Sequence, residues 1–225
     1  MTWVKICGTT NLEDARAAVE AGATALGFVF APSPRRIQPN AAREIVAQLP
    51  IEIEKIGVFV NEDSNDICDA IADIRLTGVQ LHGDEDEKSI RALRWGLNST
   101  GRSRTIRVIK ALPAKDGFEQ LALSLPYDIV DCFLLDSASE VRGGSGRKFD
   151  LKVARNFIRQ HKTIVAGGLT PTNVANVMRE HRPWGVDVVS GVEREPGKKD
   201  PGKVRAFVAA VRSVETECAA EIRNL

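Results

Sequence analysis

The sequence predicts an α/β fold, a (β/α)8 or TIM barrel, formed by a single domain over residues 1–225. Short apolar segments alternate with longer amphipathic ones, and eight of each fit into the chain. The segment 56–60 is apolar on both faces, as is typical of parallel strands covered by helices. A closed barrel is favoured at this length, and a doubly wound open sheet is the second choice.

The apolar segments and the amphipathic segments define the predicted elements in chain order. The predicted strands are Trp3–Cys7, Ala25–Phe30, Ile53–Val60, Gly78–His82, Thr105–Lys110, Ile129–Asp136, Thr163–Ala166 and Val186–Ser190. The predicted helices are Leu12–Ala21, Ala41–Gln48, Ser64–Ile74, Glu85–Trp95, Phe118–Leu125, Leu151–Gln160, Pro171–Glu180 and Pro201–Glu217, and a helical tail is expected over 215–225.

Three helix starts carry capping signals. Thr10 is followed three residues later by Glu13, which is the pattern of a capping box. Thr170 and Asp200 each precede a proline, which is favoured in the first helical turn. We therefore predict these three residues as N-caps.

Composition excludes several classes of protein. The formal net charge of +1 gives no argument for nucleic acid or membrane binding. Four cysteines lie far apart without a CxxC pair, which indicates neither a disulfide framework nor a zinc site and favours a cytoplasmic location. No secretory signal or run of about 20 apolar residues is present.

Chemistry in a barrel of this class takes place at the carboxyl ends of the strands, where Cys7 ends the first one. Side-chain alternation puts Lys5 and Cys7 on one face of that strand. Cys7 is either a small buried hydrophobe or a reactive thiol whose pKa is lowered by a cation such as Lys5. The alternative role of Lys5 is to neutralise Asp187 or another acid of the core.

The sixth strand ends with a carboxylate, Asp136, after the apolar run 132–135. Partial burial raises the pKa of a carboxyl group and suits it to donate a proton. The alternative is an aspartate that caps the next turn. Cys7 and Asp136 together form a candidate base and acid at the barrel mouth.

Glycine-bearing turns follow the last two strands. Gly167, Gly168, Ser190 and Gly191 are candidates to hold a phosphate, since glycine lets backbone amides approach an anion and barrels of this kind often bind phosphate there. The alternative is that they only form tight turns. Gly143 and Gly144, in the cluster 143–148, lack the ending of a nucleotide P-loop and suit a loop that covers a substrate.

Other polar residues follow the second and fourth strands. Arg35 or its neighbour Arg36 is placed to bind a carboxylate, although adjacent arginines are more often solvated. His82 is a candidate to contact a substrate, as a proton donor or as a metal ligand, but no histidine–carboxylate cluster at metal spacing accompanies it. We interpret the remaining cysteines as packing residues: Cys68, Cys132 and Cys218.

These segments carry a resemblance that extends over nearly the whole chain. The sequence is similar to the phosphoribosylanthranilate isomerases of tryptophan biosynthesis, and many matches in one order make the resemblance specific. The matching segments are 4–8, 27–30, 33–35, 57–61, 79–83, 134–136, 143–146, 149–150, 166–169, 173–174, 186–193 and 196–200.

The resemblance implies a (β/α)8 barrel and an Amadori rearrangement of N-(5-phosphoribosyl)anthranilate that needs no cofactor and no metal. It implies that Cys7 is the general base, that Asp136 is the general acid, and that Arg35 contacts the anthranilate carboxylate. The glycine-rich turns after strands seven and eight would hold the phosphate.

Three other functions remain as alternatives. A histidine-pathway aldose–ketose isomerase would carry an aspartate where this chain has Cys7, and a ribulose-phosphate epimerase would need a metal and more histidines. A catalytically silent barrel would only bind a phosphate ligand or a partner protein. Nothing in the sequence decides between a monomer and a homodimer.

Overall fold

The computed structural model describes residues 1–99, 101, 105–126, 128–137 and 151–223, with side chains up to residue 217. Its centre is a closed barrel of parallel strands in which each strand pairs with the next and β8 pairs with β1. The predicted barrel is therefore confirmed. The strands are β1 Trp3–Cys7, β2 Ala25–Val29, β3 Glu54–Phe59, β4 Gly78–Leu81, β5 Arg107–Pro113, β6 Cys132–Asp136, β7 Thr163–Ala166 and β8 Gly185–Val188.

The helices follow the strands around the barrel and mostly match the predicted segments. They are α1 Leu12–Glu20, α2 Pro39–Val46, α3 Ser64–Ile74, α4 Glu87–Ser99, α5 Phe118–Leu123, α6 Arg155–Gln160, α7 Val174–His181 and α8 Pro201–Arg223. The predicted tail is the end of α8, which continues to residue 223.

Two of the three predicted helix caps are wrong. The side chain of Asn11 caps α1 by accepting from the Asp14 amide, and the Thr10 hydroxyl instead donates to the Gly197 carbonyl. Helix α7 begins at Val174, because the residues after Thr170 form a turn before the helix. Asp200 is confirmed as the N-cap of α8, since its Oδ1 accepts hydrogen bonds from the amides of residues 202 and 203.

The fifth strand extends three residues further than predicted, to Pro113. Lys110 therefore lies within β5 and not at its end. Its Nζ donates to the Gly83 carbonyl at 2.7 Å and to Glu85 Oε2 at 2.8 Å, so it holds the loop that follows β4.

Two hydrophobic clusters build the core. The larger lies between the barrel and its helices, and Val4 and Ile6 of β1 belong to it. The smaller includes Trp3 and fills the inside of the barrel. Alternation along β1 thus turns Lys5 and Cys7 inward, as the sequence predicts, and both are buried.

A short antiparallel hairpin, absent from the sequence prediction, lies between β8 and α8. A 3-10 turn, Ser190–Val192, leads into its strands, β9 Glu193–Glu195 and β10 Lys198–Lys199. Gly197 turns the hairpin with a φ of 80°. The hairpin brings the two buried charges Glu193 and Lys199 to the mouth of the barrel.

Within the described part of the chain, no helix combines the length and the apolar character that a membrane span requires.

Candidate active site

Seven of the predicted site residues line one cavity of about 390 Å³ at the carboxyl ends of the strands. They are Cys7, Arg35, His82, Asp136, Gly167, Gly168 and Ser190. Gly191 does not line the cavity, although it lies beside Ser190. Gly143 and Gly144 lie outside the described residues, so their predicted role as a covering loop stays a prediction.

Cys7 sits at the end of β1, directly beside Gly27 of β2. The missing side chain of Gly27 leaves room for the thiol, since a Cβ there would lie 2.5 Å from Cys7 Sγ. Burial raises the pKa of the Cys7 thiol, and the positive charges of Lys5 and Lys199 offset this only in part. Lys5 thus lowers the pKa of the thiol, as predicted, but burial outweighs it and the net shift is upward.

Lys5 instead pairs with Asp187 inside the barrel. Its Nζ lies 3.2 Å from Asp187 Oδ2 and also donates to Gln80 Oε1. Burial opposes the positive charge, but the Asp187 carboxylate outweighs it and raises the pKa of Lys5. Asp187 Oδ1 is buried and has no hydrogen-bond partner among the described residues.

His82 and Asp136 face each other at the cavity. His82 Nε2 lies 3.4 Å from Asp136 Oδ2, and the two side chains are 33% and 20% exposed. On its other side, His82 Nδ1 lies 2.7 Å from Gln80 Nε2. Asp136 is thus a partly buried carboxyl group, as predicted, with a histidine as its neighbour.

Arg35 is fixed by a carboxylate that the sequence analysis missed. Its Nε lies 2.9 Å and its Nη2 2.7 Å from the two oxygens of Glu193, which raises the pKa of Arg35. The neighbouring Arg36 is exposed and does not line the cavity. Arg35 is therefore the better placed of the two arginines to meet a ligand carboxylate.

A buried lysine ties Glu193 to the first strand. Lys199 Nζ lies 3.0 Å from Glu193 Oε1 and donates to the Cys7 carbonyl at 2.6 Å. Burial acts against the charge of Glu193, but Arg35 and Lys199 outweigh it and hold its pKa below the ordinary value. The carboxylate thus stays charged and keeps both cations in place.

The glycine turns after β7 and β8 pack closely together. Gly167 and Gly168 have φ angles of 86° and 64°, which only glycine adopts without strain. A Cβ at Gly191 would lie 1.9 Å from the Leu169 carbonyl oxygen, so glycine there allows the two turns to touch. Ser137 donates to the carbonyls of residues 166 and 167 and supports the first turn.

The remaining predicted residues are placed as follows. Cys132 is buried inside the barrel and Cys68 is half-buried on α3, and packing is consistent with both. The side chain of Cys218 lies outside the described residues. Among the described side chains, no group of three or more histidines, cysteines or carboxylates is arranged to hold a metal ion.

Comparisons with known proteins agree with this geometry. The model of the family "N-(5'phosphoribosyl)anthranilate (PRA) isomerase" matches residues 4–210. A protein of Pelobacter propionicus, named N-(5'-phosphoribosyl)anthranilate isomerase, is 42% identical over 219 residues, which cover 96% of this chain and 99% of that protein.

Solved structures of proteins with that activity are also similar. The phosphoribosyl anthranilate isomerase of Thermotoga maritima is 39% identical, with a TM-score of 0.83, and the match covers 95% of this chain and all of that chain. A second structure holds such an isomerase in complex with reduced 1-(o-carboxyphenylamino)-1-deoxyribulose 5-phosphate. That isomerase is 37% identical, with a TM-score of 0.79, and the match covers 95% of this chain and 100% of that chain.

Proposed function

Because the chain belongs to the family of N-(5'-phosphoribosyl)anthranilate isomerases, we propose that Cys7 is the general base and Asp136 the general acid of its reaction. The protein isomerises N-(5'-phosphoribosyl)anthranilate in tryptophan biosynthesis. This Amadori rearrangement converts an aldose derivative into the ketose 1-(2-carboxyphenylamino)-1-deoxyribulose 5-phosphate. The observation that carries the assignment is that the thiol of β1 and the carboxyl group of β6 line one cavity.

The first step opens the ribose ring. Asp136 donates its proton to the furanose oxygen while the bond between that oxygen and C1 breaks. The lone pair of the anthranilate nitrogen forms a double bond to C1, which leaves a positively charged Schiff base. His82 Nε2, 3.4 Å from Asp136 Oδ2, lies where it supports the negative charge that remains on the carboxylate.

The second step removes the proton on C2. The Schiff base withdraws electrons from C2, and the Cys7 thiolate accepts the proton as the C2–H electrons form an enolamine. Burial raises the pKa of the thiol, so few thiolates exist in the free enzyme at neutral pH. The cationic Schiff base counteracts this penalty once it forms beside the sulfur. The enolamine then tautomerises to the ketone.

Two further groups bind the ends of the substrate. Arg35, held by Glu193, presents a guanidinium to the cavity and suits the anthranilate carboxylate. The turns with Gly167, Gly168 and Ser190 line the cavity and suit the phosphate, and Gly191 lets them meet. With both ends bound, the ribose lies between the base and the acid.

A crystal structure with the reduced product analogue tests the assignment. We expect Cys7 Sγ within van der Waals contact of C2 and the Asp136 carboxyl group within hydrogen-bond distance of the oxygen on C4. The phosphate should lie at residues 167–168 and 190–191, and the carboxylate at Arg35. If the side chain of Cys7 or of Asp136 does not contact the ribose, the proposed assignment of base and acid is wrong.

A further inference from the structure

A line of polar side chains crosses the inside of the barrel beneath the cavity. Asp187 contacts Lys5, Lys5 donates to Gln80, Gln80 contacts His82, and His82 faces Asp136. Gln80 is 1% exposed, so water does not replace either of its contacts. The chain of contacts joins strand β8 to strand β6 by way of β1 and β4.

The charge at one end of this line determines where the protons lie. The ammonium of Lys5 only donates hydrogen bonds, so the amide oxygen of Gln80 must face it. The amide nitrogen of Gln80 then faces His82 Nδ1 at 2.7 Å and also only donates. His82 Nδ1 must therefore accept, and the single proton of the neutral ring resides on Nε2.

We propose that Gln80 is a positioning residue that holds His82 in the Nε2–H tautomer and points this N–H at Asp136. His82 then donates a hydrogen bond from Nε2 during the reaction. Its Nδ1 accepts the hydrogen bond from Gln80 and does not become protonated. Its donor lies 3.4 Å from Asp136 Oδ2, where negative charge appears when the carboxyl group gives up its proton. This role rests on the proposed function of Asp136, but the tautomer does not.

The alternative arrangement is disfavoured by the same contacts. If the Gln80 amide were rotated by 180°, its NH2 group would face the Lys5 ammonium, and two donors would be forced together in a buried site. Asp187 keeps Lys5 charged, because its Oδ2 lies 3.2 Å from Nζ. The buried ion pair thus fixes the amide, and the amide fixes the imidazole.

Nitrogen NMR of the full-length enzyme labelled with 15N-histidine tests the tautomer directly. The chain has three histidines, and a His82→Asn variant identifies the His82 signals. We expect the resting enzyme to show an unprotonated Nδ1 and a protonated Nε2 at His82. A protonated Nδ1 in the resting enzyme would overturn the proposal.

The variant Gln80→Glu replaces the group that donates to His82 Nδ1 by one that only accepts, and it keeps a partner for Lys5. A carboxylate at this position accepts from His82, so Nδ1 should become protonated, while the signals of His161 and His181 stay unchanged as internal controls. We expect kcat to fall about tenfold to a hundredfold, within the contribution of one assisted proton transfer, with KM changed less than about threefold. An unchanged tautomer with unchanged kcat would contradict the proposal.

A second variant covers the case in which the buried carboxylate prevents folding. Gln80→Met fills similar space and removes both polar contacts, so we expect a mixture of the two His82 tautomers and a fall in kcat. A single Nε2–H tautomer in this variant would show that Gln80 does not set it. If Asp136→Asn retains kcat while the tautomer is as inferred, the proposed acid fails and the tautomer assignment stands.

Discussion

Arg35 and Glu193 form a two-point ion pair, with Nη2 and Oε2 2.7 Å apart, at the edge of the cavity. The pair joins the loop after β2 to the hairpin β9–β10. Because Lys199 also contacts Glu193, the carboxylate keeps a partner when the arginine is removed. The arginine can therefore be changed without leaving a buried charge alone.

Arg35→Ala should raise KM for N-(5'-phosphoribosyl)anthranilate about tenfold to a hundredfold and change kcat little. The reason is that a charge-assisted hydrogen bond to a carboxylate contributes ~1.5–3 kcal/mol to binding. The measurement is steady-state kinetics from the loss of substrate fluorescence. Arg36→Ala is the matched control, because Arg36 is exposed and outside the cavity. An effect of equal size in both variants would remove the proposed role of Arg35.

Cys7→Ser should lower kcat by ~10²–10⁴-fold with a modest change in KM, because a hydroxyl group is a far weaker base than a thiolate. The substitution keeps the volume of the side chain nearly constant in its buried position beside Gly27. Cys68→Ser, on the outer helix α3, is the control and should keep the kinetics of the parent enzyme. Full kcat in Cys7→Ser would exclude the thiol from the mechanism.

Local patterns in the sequence predict the barrel, and they predict which side chains gather at its cavity. Apolar runs mark the strands, and Cys7, His82 and Asp136 lie where such runs end. In a parallel barrel the carboxyl ends of all strands meet at one end, so these side chains line the same cavity. Arg35 follows β2 in the same way. Local patterns do not determine the ends of the elements, as the extension of β5 past Lys110 shows.

Most contacts of the network around these residues could not be predicted, because the partners are distant along the chain. The exception is the pair Lys5–Asp187, which the sequence raised as an alternative. Lys199 donates to a carbonyl 192 residues earlier, and Gln80 contacts Lys5 across 75 residues. Local sequence does not show which partner such a side chain meets. The same holds for Thr10, whose hydroxyl contacts Gly197 in place of capping α1, while Asn11 next to it provides the cap. The hairpin does carry a local turn signal that the prediction left unused, the dipeptide of Pro196 and Gly197.

Gly27→Ala should lower kcat, because the added Cβ would lie 2.5 Å from Cys7 Sγ and displace the thiol. A shift of the base by about 1 Å costs on the order of a hundredfold in rate. Gly78→Ala is the matched control. It also creates a clash within a barrel strand, 2.7 Å from Ile56 Cδ1, but at the start of β4, away from the site.

Thermal unfolding separates the two effects. Both variants should lose stability, whereas only Gly27→Ala should lose kcat in the fraction that remains folded. If Gly78→Ala loses as much kcat as Gly27→Ala, the effect is general and the close contact between Gly27 and the thiol has no special part in catalysis.

Because of Cys132, we expect the free energy of unfolding to fall as pH rises in the alkaline range. Burial raises the pKa of its thiol to about 12, from an ordinary value of 9.0. The folded state therefore binds this proton more tightly than the unfolded state, and the stabilisation is complete below pH 9. As pH rises from 9 toward 12, the unfolded chain releases the proton first, and the free energy of unfolding falls by about 1.4 kcal/mol per pH unit from this group.

Cys132→Ala should remove this part of the dependence. The variant loses packing inside the barrel and should be less stable at pH 7.5, but its free energy of unfolding should decline less steeply above pH 9. Urea unfolding of both proteins at pH 7.5, 9 and 10 gives the two slopes, and other groups that titrate in this range, Cys7 and the lysines, are common to both. Parallel curves would mean that the Cys132 thiol keeps the same pKa in the folded and the unfolded chain, contrary to its burial inside the barrel.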